Sequence, residues 1–494
     1  MKKSADKKVN DQKLTNNLVK FWVIGGIAVL SLGAIAATAL GISRAVIAAQ
    51  KSKIYTVSFD ITGSNPKGAR LDDAKGLVAG INGEKNDFDN VYPYKGIKEV
   101  KDERGDVYVR IPKFYQRIDI KDESMTFSVS SSAHKGFTVA PAFMKGKEEI
   151  PYIDIGKYEA SVKDGSLVSK SGLMPEVTGH TLDEYRTLAE KDGNQLFDFR
   201  HHEALQMLYL VEFANLDSQA VMSGETQYLA CYHEFTADEI ERGEMDTFSV
   251  YEDEVMCIDT EVDHEKFAKA NLSHVDISMY HDANVEVPGD KEFSIAETVS
   301  AASFEVESGE ISKIKLSSPV DVSKMSEGEG ISIAFGSYNY HKTGSSDGRK
   351  GSSNGSALKD LEVTSMNYRG IENWYSNSYS WVDGIATFED ENENSFICIS
   401  MDASKNSDRS SYKRYASQDE MLKDGNFMAE FSMTDEIEYQ YDYYSVGYSS
   451  ENYLIGFVGG YYDYNSGAGA FCLTLNDGVV SGAGGSVRLS CLPQ

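Results

Sequence analysis

The sequence predicts an α+β protein in which strands outnumber helices, carried behind an amino-terminal transmembrane helix. Three observations predict it. Residues 21–43 are uncharged and apolar, two helical patterns lie between 181 and 214, and short alternating runs closed by turn signals fill most of the rest.

Phe21 through Ser43 hold no charged side chain. A helix of that length spans about 35 Å, enough to cross a hydrocarbon core of about 30 Å. Six lysines precede it, and Arg44, Lys51 and Lys53 follow. The positive-inside rule then makes residues 1–20 a cytoplasmic tail, with Trp22 at the inner interface and the carboxy-terminal part outside the cell. Ala37-Thr38-Ala39 would suit a signal-peptide cleavage site, but the apolar run is longer than a signal core needs, which favours a retained single-pass anchor.

Beyond the anchor, Ile54–Ile61 alternates before the turn signal Gly63-Ser64-Asn65-Pro66. Asp106–Pro112 and Tyr152–Tyr158 read as further strands, and residues 54–120 form an N-terminal β region. Thr181-Leu182-Asp183-Glu184 is a capping box, and Leu182, Tyr185, Leu188 and Ala189 mark one face of the helix it starts, which stops at Asp192-Gly193. The segment 201–214 is apolar nearly all round, the pattern of a helix buried on most sides. Residues 229–340 are acidic and rich in strand signals such as Ser312–Leu316 and Gly330–Phe335, and read as a β-rich insertion. Gly344 to Gly355 reads as a mobile Gly/Ser loop, and Val487–Cys491 as the closing strand.

Charge divides the chain. Residues 1–53 carry +7, which leaves −36 of the overall −29 for the remainder. So acidic a remainder excludes a nucleic-acid partner, since a phosphate backbone needs clustered Lys and Arg. The five cysteines are too few for a disulfide scaffold and form no C-x-x-C pair.

Several blocks together resemble phage tail-associated proteins with a C-type-lectin-like fold. They are Phe88–Pro93, Ile111–Tyr115, Phe199–Gln219, Tyr368–Trp374 and Trp381–Ile385, in that order. The wider superfamily includes formylglycine-generating sulfatase-modifying enzymes and the variable proteins of diversity-generating retroelements. Gly156–Ser161 is similar to the strand that opens that domain, and Asn377–Val382 to its Asn-Val-Trp-Glu-Trp block. Gly459-Gly460-Tyr461 and Ser486–Leu489 stand where the family has its Gly-Gly and Gly-Phe-Arg blocks. The resemblance implies a C-type-lectin-like domain over 121–228 and 341–494, with two helices, a twisted antiparallel sheet and long ligand-presenting loops. The reactive cysteine pair of the oxidising enzymes is replaced by Tyr461-Tyr462-Asp463-Tyr464-Asn465, and the calcium-lectin triplets are missing. Neither chemistry transfers.

Tyrosine is the strongest chemical signal: residues 439–464 hold nine, interleaved with Ser, Gly, Asn and Asp. Rigid amphipathic rings beside small polar residues are the composition of a binding surface. Period-two tyrosines on a sheet face are the bland alternative for Tyr439, Tyr441 and Tyr443. The candidate ligand-binding residues are Tyr443, Tyr444, Tyr448, Tyr461, Tyr462, Asp463, Tyr464 and Asn465, the last five favoured by the resemblance.

No catalytic residue and no cofactor is expected. Gly351-Ser352-Ser353-Asn354-Gly355 matches G-x-S-x-G but lacks the strand–turn–helix context of a nucleophile elbow. Cys231, His233, Cys257 and His264 lack a common zinc spacing, and a Cys231–Cys257 disulfide stays open. Glu389–Asn394 could hold a structural calcium ion, though a solvated acidic loop fits better without the EF-hand glycine and distal glutamate. Glu372, Trp374, Trp381 and Asp383 are expected to organise the fold. The expected function is recognition of a surface protein or glycan. A formylglycine-generating-type modifying enzyme and a prophage tail structural protein are the alternatives.

Overall fold

The computed structural model describes residues 44–494 except 61, 63–64, 122, 177–179, 225–229, 237–242, 251–255, 258–274, 282–292, 300–301, 308–309, 322–328, 337–341, 356–363, 428–443, 447, 450–452, 461–467, 478–484 and 494. The chain divides into two units, Met1–Lys53 and Ile54–Gln494. In the first, helix α1 covers 44–51 and exposes Val46 and Ile47. The apolar run 21–43 lies outside the described residues, among which no helix is long and apolar enough to cross a membrane.

The second unit is α+β, with many short strands and few helices. Helix α2, Leu182–Glu190, starts at the expected capping box: Thr181 Oγ1 accepts from Glu184 N at 3.3 Å, and Glu184 Oε2 accepts from Thr181 N at 2.7 Å. Helix α3, Phe199–Phe213, starts two residues earlier than its apolar pattern. Asp198 is the reason, because its Oδ1 accepts from Arg200 N at 2.9 Å and caps the helix there. All fifteen residues of α3 are buried. The helix packs against the strands Tyr55–Asp60 and Ser124–Ser130 and against Tyr379–Glu389. Its burial on all sides, which takes in Arg200, His201, His202, Glu203, Gln206 and Glu212, follows from having sheet on more than one side.

The amino-terminal sheet has the order Ala69–Asp72, Tyr55–Asp60, Ser124–Ser130, Tyr115–Lys121, Thr138–Val139. Position 120 falls inside Tyr115–Lys121, which pairs with Ser124–Ser130. A second sheet joins Tyr152–Glu159 to Val107–Pro112 on one side and to Arg488–Cys491 on the other. The third runs Tyr412–Tyr415, Ser395–Ser400, Tyr379–Glu389, Leu454–Gly459, Gly469–Asp477, Tyr444–Val446.

The stretch 229–340 forms a five-stranded and a three-stranded antiparallel sheet. Its first and last strands, Ala230–Thr236 and Glu329–Gly336, pair from Ala230↔Gly336 to Thr236↔Gly330. The two ends of the segment therefore lie side by side. Phe235 and Phe248 pack with ring centroids 5.3 Å apart and tie its two sheets together.

Candidate functional site

The blocks that carry the family resemblance meet around buried carboxylates. Glu159, on the strand Tyr152–Glu159, accepts from Asn377 Nδ2 at 2.5 Å, Ser378 Oγ at 2.7 Å, Ser486 Oγ at 3.0 Å and Asn373 Nδ2 at 3.2 Å. Glu372 takes Gly344 N at 2.7 Å and both the N and the Oγ of Ser346 at 2.9 and 2.6 Å. Burial nonetheless raises its carboxyl, against those donors. Arg488 donates to four carbonyl oxygens, those of Gly156, Lys157, Glu372 and Asn373, at 2.7–3.0 Å. Burial lowers its guanidinium to about 10, still protonated at neutral pH. Trp374 Nε1 donates to His202 Nδ1 at 3.2 Å. These polar groups are occupied with one another and hold the fold together, the role expected of Glu372 and Trp374.

Of the tyrosine-rich block, Tyr443, Tyr461, Tyr462, Asp463, Tyr464 and Asn465 lie outside the described residues. Tyr444 opens the strand Tyr444–Val446, in parallel register with Leu473–Leu475. Tyr448 is 41% exposed. Gly459 and Gly460, which precede the block, have φ of +89° and +69°. A Cβ on Gly459 would sit 3.0 Å from Tyr375 Cα, so the Gly-Gly pair is required by geometry.

Tyr453, from the same stretch, anchors a cluster of aromatic and guanidinium groups. Its ring stacks on Phe388 with centroids 4.9 Å apart and planes 24° from parallel. Arg414 donates to its hydroxyl at 3.2 Å and lies 4.7 Å from the Phe388 centroid and 5.8 Å from that of Phe396. Arg409 lies 6.0 Å over the Tyr453 ring and 4.8 Å over Tyr412. Phe388 and Phe396 are register partners on adjacent strands, so the rings form one half-buried strip on a sheet face. Neither Arg409 nor Arg414 was foreseen. The alternation Tyr412-Lys413-Arg414-Tyr415, which places Arg414 beside aromatic neighbours, was the available signal.

A cleft of about 260 Å³ opens beside this cluster, between the end of α2, the turn into Gln195–Leu196 and the loop 403–407. At its wall Arg186 grips Asp383 through Nε–Oδ2 at 3.0 Å and Nη2–Oδ1 at 2.5 Å, and it also bonds Asp183. Burial lowers the Arg186 guanidinium, but Asp383, Tyr412 and Asp183 together raise it, and the net shift is upward. Asn406 Nδ2 donates to Asp198 Oδ2 at 3.0 Å. Tyr412 links cleft and cluster: its hydroxyl donates to Asn406 O at 2.8 Å and accepts from Arg409 at 2.5 Å.

The loop 344–355, read from sequence as mobile, is pinned. Thr343, Ser346, Ser352 and Ser353 are buried, Ser353 bridges Asn367, and Asn354 N donates to Asn82 Oδ1 at 2.9 Å. The hydroxyls of Ser345, Ser346 and Ser352 serve hydrogen bonding, a need that a Gly/Ser composition does not reveal. Asp390 closes the acidic loop on itself by accepting from Asn392 N and from Asn394 N and Nδ2. Among the described residues no group of His, Cys, Asp and Glu is placed to hold a metal ion. Cys231 and Cys257 are direct register partners on antiparallel strands. His264 lies outside the described residues.

A scan of protein-family models finds no match to this chain. A search of curated proteins finds none either.

Proposed function

We propose that this chain is a membrane-anchored, exported binding protein with a C-type-lectin-like ectodomain, related to phage tail receptor-binding proteins. In this reading residues 21–43 hold it in the membrane with the amino terminus inside, and the carboxy-terminal loops recognise a surface protein or glycan. One observation carries the binding role: Tyr453, at the described end of the tyrosine-rich block, is held in a half-exposed strip with Phe388, Phe396, Arg409 and Arg414. Tyrosine and arginine on a rigid sheet are the side chains that dominate interface energetics. The lectin-like frame is supported by the pairing of opening and closing strands and by the convergence of the resembling blocks on Glu159, Glu372 and Arg488.

The three cysteines with described side chains, Cys398, Cys472 and Cys491, favour binding over modifying chemistry. Burial pushes the Cys398 thiol up to about 11 and also raises that of Cys491, and Cys472 is fully buried. A nucleophilic or redox cysteine needs the opposite, a stabilised and accessible thiolate.

The test replaces Tyr461, Tyr462 and Tyr464 together by Ala in the full chain and measures adhesion to arrays of cell-surface glycans and proteins. Adhesion should disappear while the far-ultraviolet circular dichroism stays that of the parent. Undiminished adhesion would contradict the proposal.

A further inference from the structure

The cleft beside α2 presents hydrogen-bonding groups that the protein leaves unused. Asn194 Nδ2, Gln195 Nε2 and Asn406 Oδ1 are buried and have no hydrogen-bond partner among the described residues. All three belong to residues that line the cleft. Their orientation is fixed by the other end of the amide in two cases. Asn194 Oδ1 accepts from Tyr108 at 3.0 Å, and Asn406 Nδ2 donates to Asp198. Buried polar groups are nearly always paired, so three lone ones in one small wall call for a partner from outside.

The chemistry of that partner follows from what is missing. Two N–H groups require acceptors and one carbonyl requires a donor. A carboxylate only accepts and an ammonium only donates, so neither meets all three. Charge points the same way: Arg186 is already matched by Asp383 and Asp183, and Glu190 adds a negative charge to the lining, which leaves nothing to attract an anion. Hydroxyl groups both donate and accept. The volume lies below the range of about 300–1,000 Å³ typical of drug-sized ligands, so the ligand is small.

We infer that this cleft is a binding subsite for a single neutral sugar residue, held through its hydroxyls by Asn194, Gln195 and Asn406. It is built entirely from residues outside the tyrosine-rich block, so it goes beyond the loop-based recognition proposed above and can stand or fall without it.

Saturation-transfer NMR on the full chain in lipid nanodiscs tests it, with methyl glycosides of neutral hexoses and N-acetylhexosamines as probes. Transfer to at least one of them is expected. It should fall at least tenfold in Gln195→Leu, which removes a donor, and in Ser407→Trp, which fills the opening from an exposed position. Thermal midpoints equal to the parent's would show that both variants fold. No transfer to any neutral glycoside overturns the inference, as does undiminished transfer in both variants. Loss only in the Tyr461, Tyr462 and Tyr464 triple variant moves the sugar to the loops; that overturns the cleft and leaves the loop proposal intact. A methyl glucuronide preferred over the matching glucoside would overturn the charge argument.

Discussion

Arg369 and Glu212, 157 positions apart, form a two-pronged ion pair with both N–O distances at 2.6 Å. Glu212 lies on α3 and also accepts from Asn86 Nδ2 at 2.6 Å and Tyr368 at 3.2 Å. Arg369 covers the Tyr94 ring at 4.8 Å. One helix, the amino-terminal region and the carboxy-terminal half are thus fastened at a single buried point.

Removing one partner strands the other. Arg369→Met is expected to lower the unfolding free energy by about 3–5 kcal/mol, because Glu212 would remain buried with its charge unmatched. Adding Glu212→Leu should recover part of that loss. Urea titration followed by circular dichroism measures both.

Two buried histidines make a contribution to stability that acid removes from pH 6.5 downward. Burial holds His201 at about 4 and His202 at about 3, below the ordinary 6.5 of imidazole. Unfolding in that window therefore takes up protons, and stability that is complete above pH 6.5 is lost as pH falls. Each histidine contributes up to about 1.4 kcal/mol per pH unit. Glu203 and Glu372, both raised by burial, oppose the histidines above pH 4.5, because they release protons on unfolding. His202→Asn should remove its share of this dependence, so that the urea midpoint of the variant falls less, relative to its own value at pH 7, than the parent's does on going to pH 5.

Gly384 has φ of +77°, and a Cβ there would lie 2.6 Å from Asp198 Oδ2, the carboxylate that caps α3. Gly384→Ala should cost about 1–3 kcal/mol, since the side chain meets both a left-handed backbone and a fixed carboxylate. Calorimetric melting of the variant against the parent checks this.

Thr181→Ala removes the capping-box hydroxyl from an exposed helix end. A loss of about 1 kcal/mol is expected, measurable in the same denaturation series.

Local chemistry made α2, α3 and the main strands legible in the sequence. Thr181 with Glu184 marks a start, and an apolar helix without a polar face announces its own burial. Two strands of the stretch 229–340 were legible through their alternation, Ser312–Leu316 and Gly330–Phe335. The distant pairings were not: nothing in the alternation of Tyr152–Glu159 says that Arg488–Cys491 lies beside it. The polar groups of α3 had partners only a folded chain could supply, as with Gln206 Nε2 donating to Ala470 O at 2.9 Å. At the candidate site, composition pointed to the tyrosines. Arg409, Arg414 and the three cleft amides become notable only once Tyr453, Phe388 and Asp383 are in place around them.

Recognition of a surface ligand requires the second unit to stand outside the cell. Protease treatment of intact cells expressing the chain, tagged with a different epitope at each end, measures this directly. Added protease should remove the carboxy-terminal epitope and leave the amino-terminal one in a protected, membrane-bound fragment. Both epitopes surviving until the cells are lysed would contradict it.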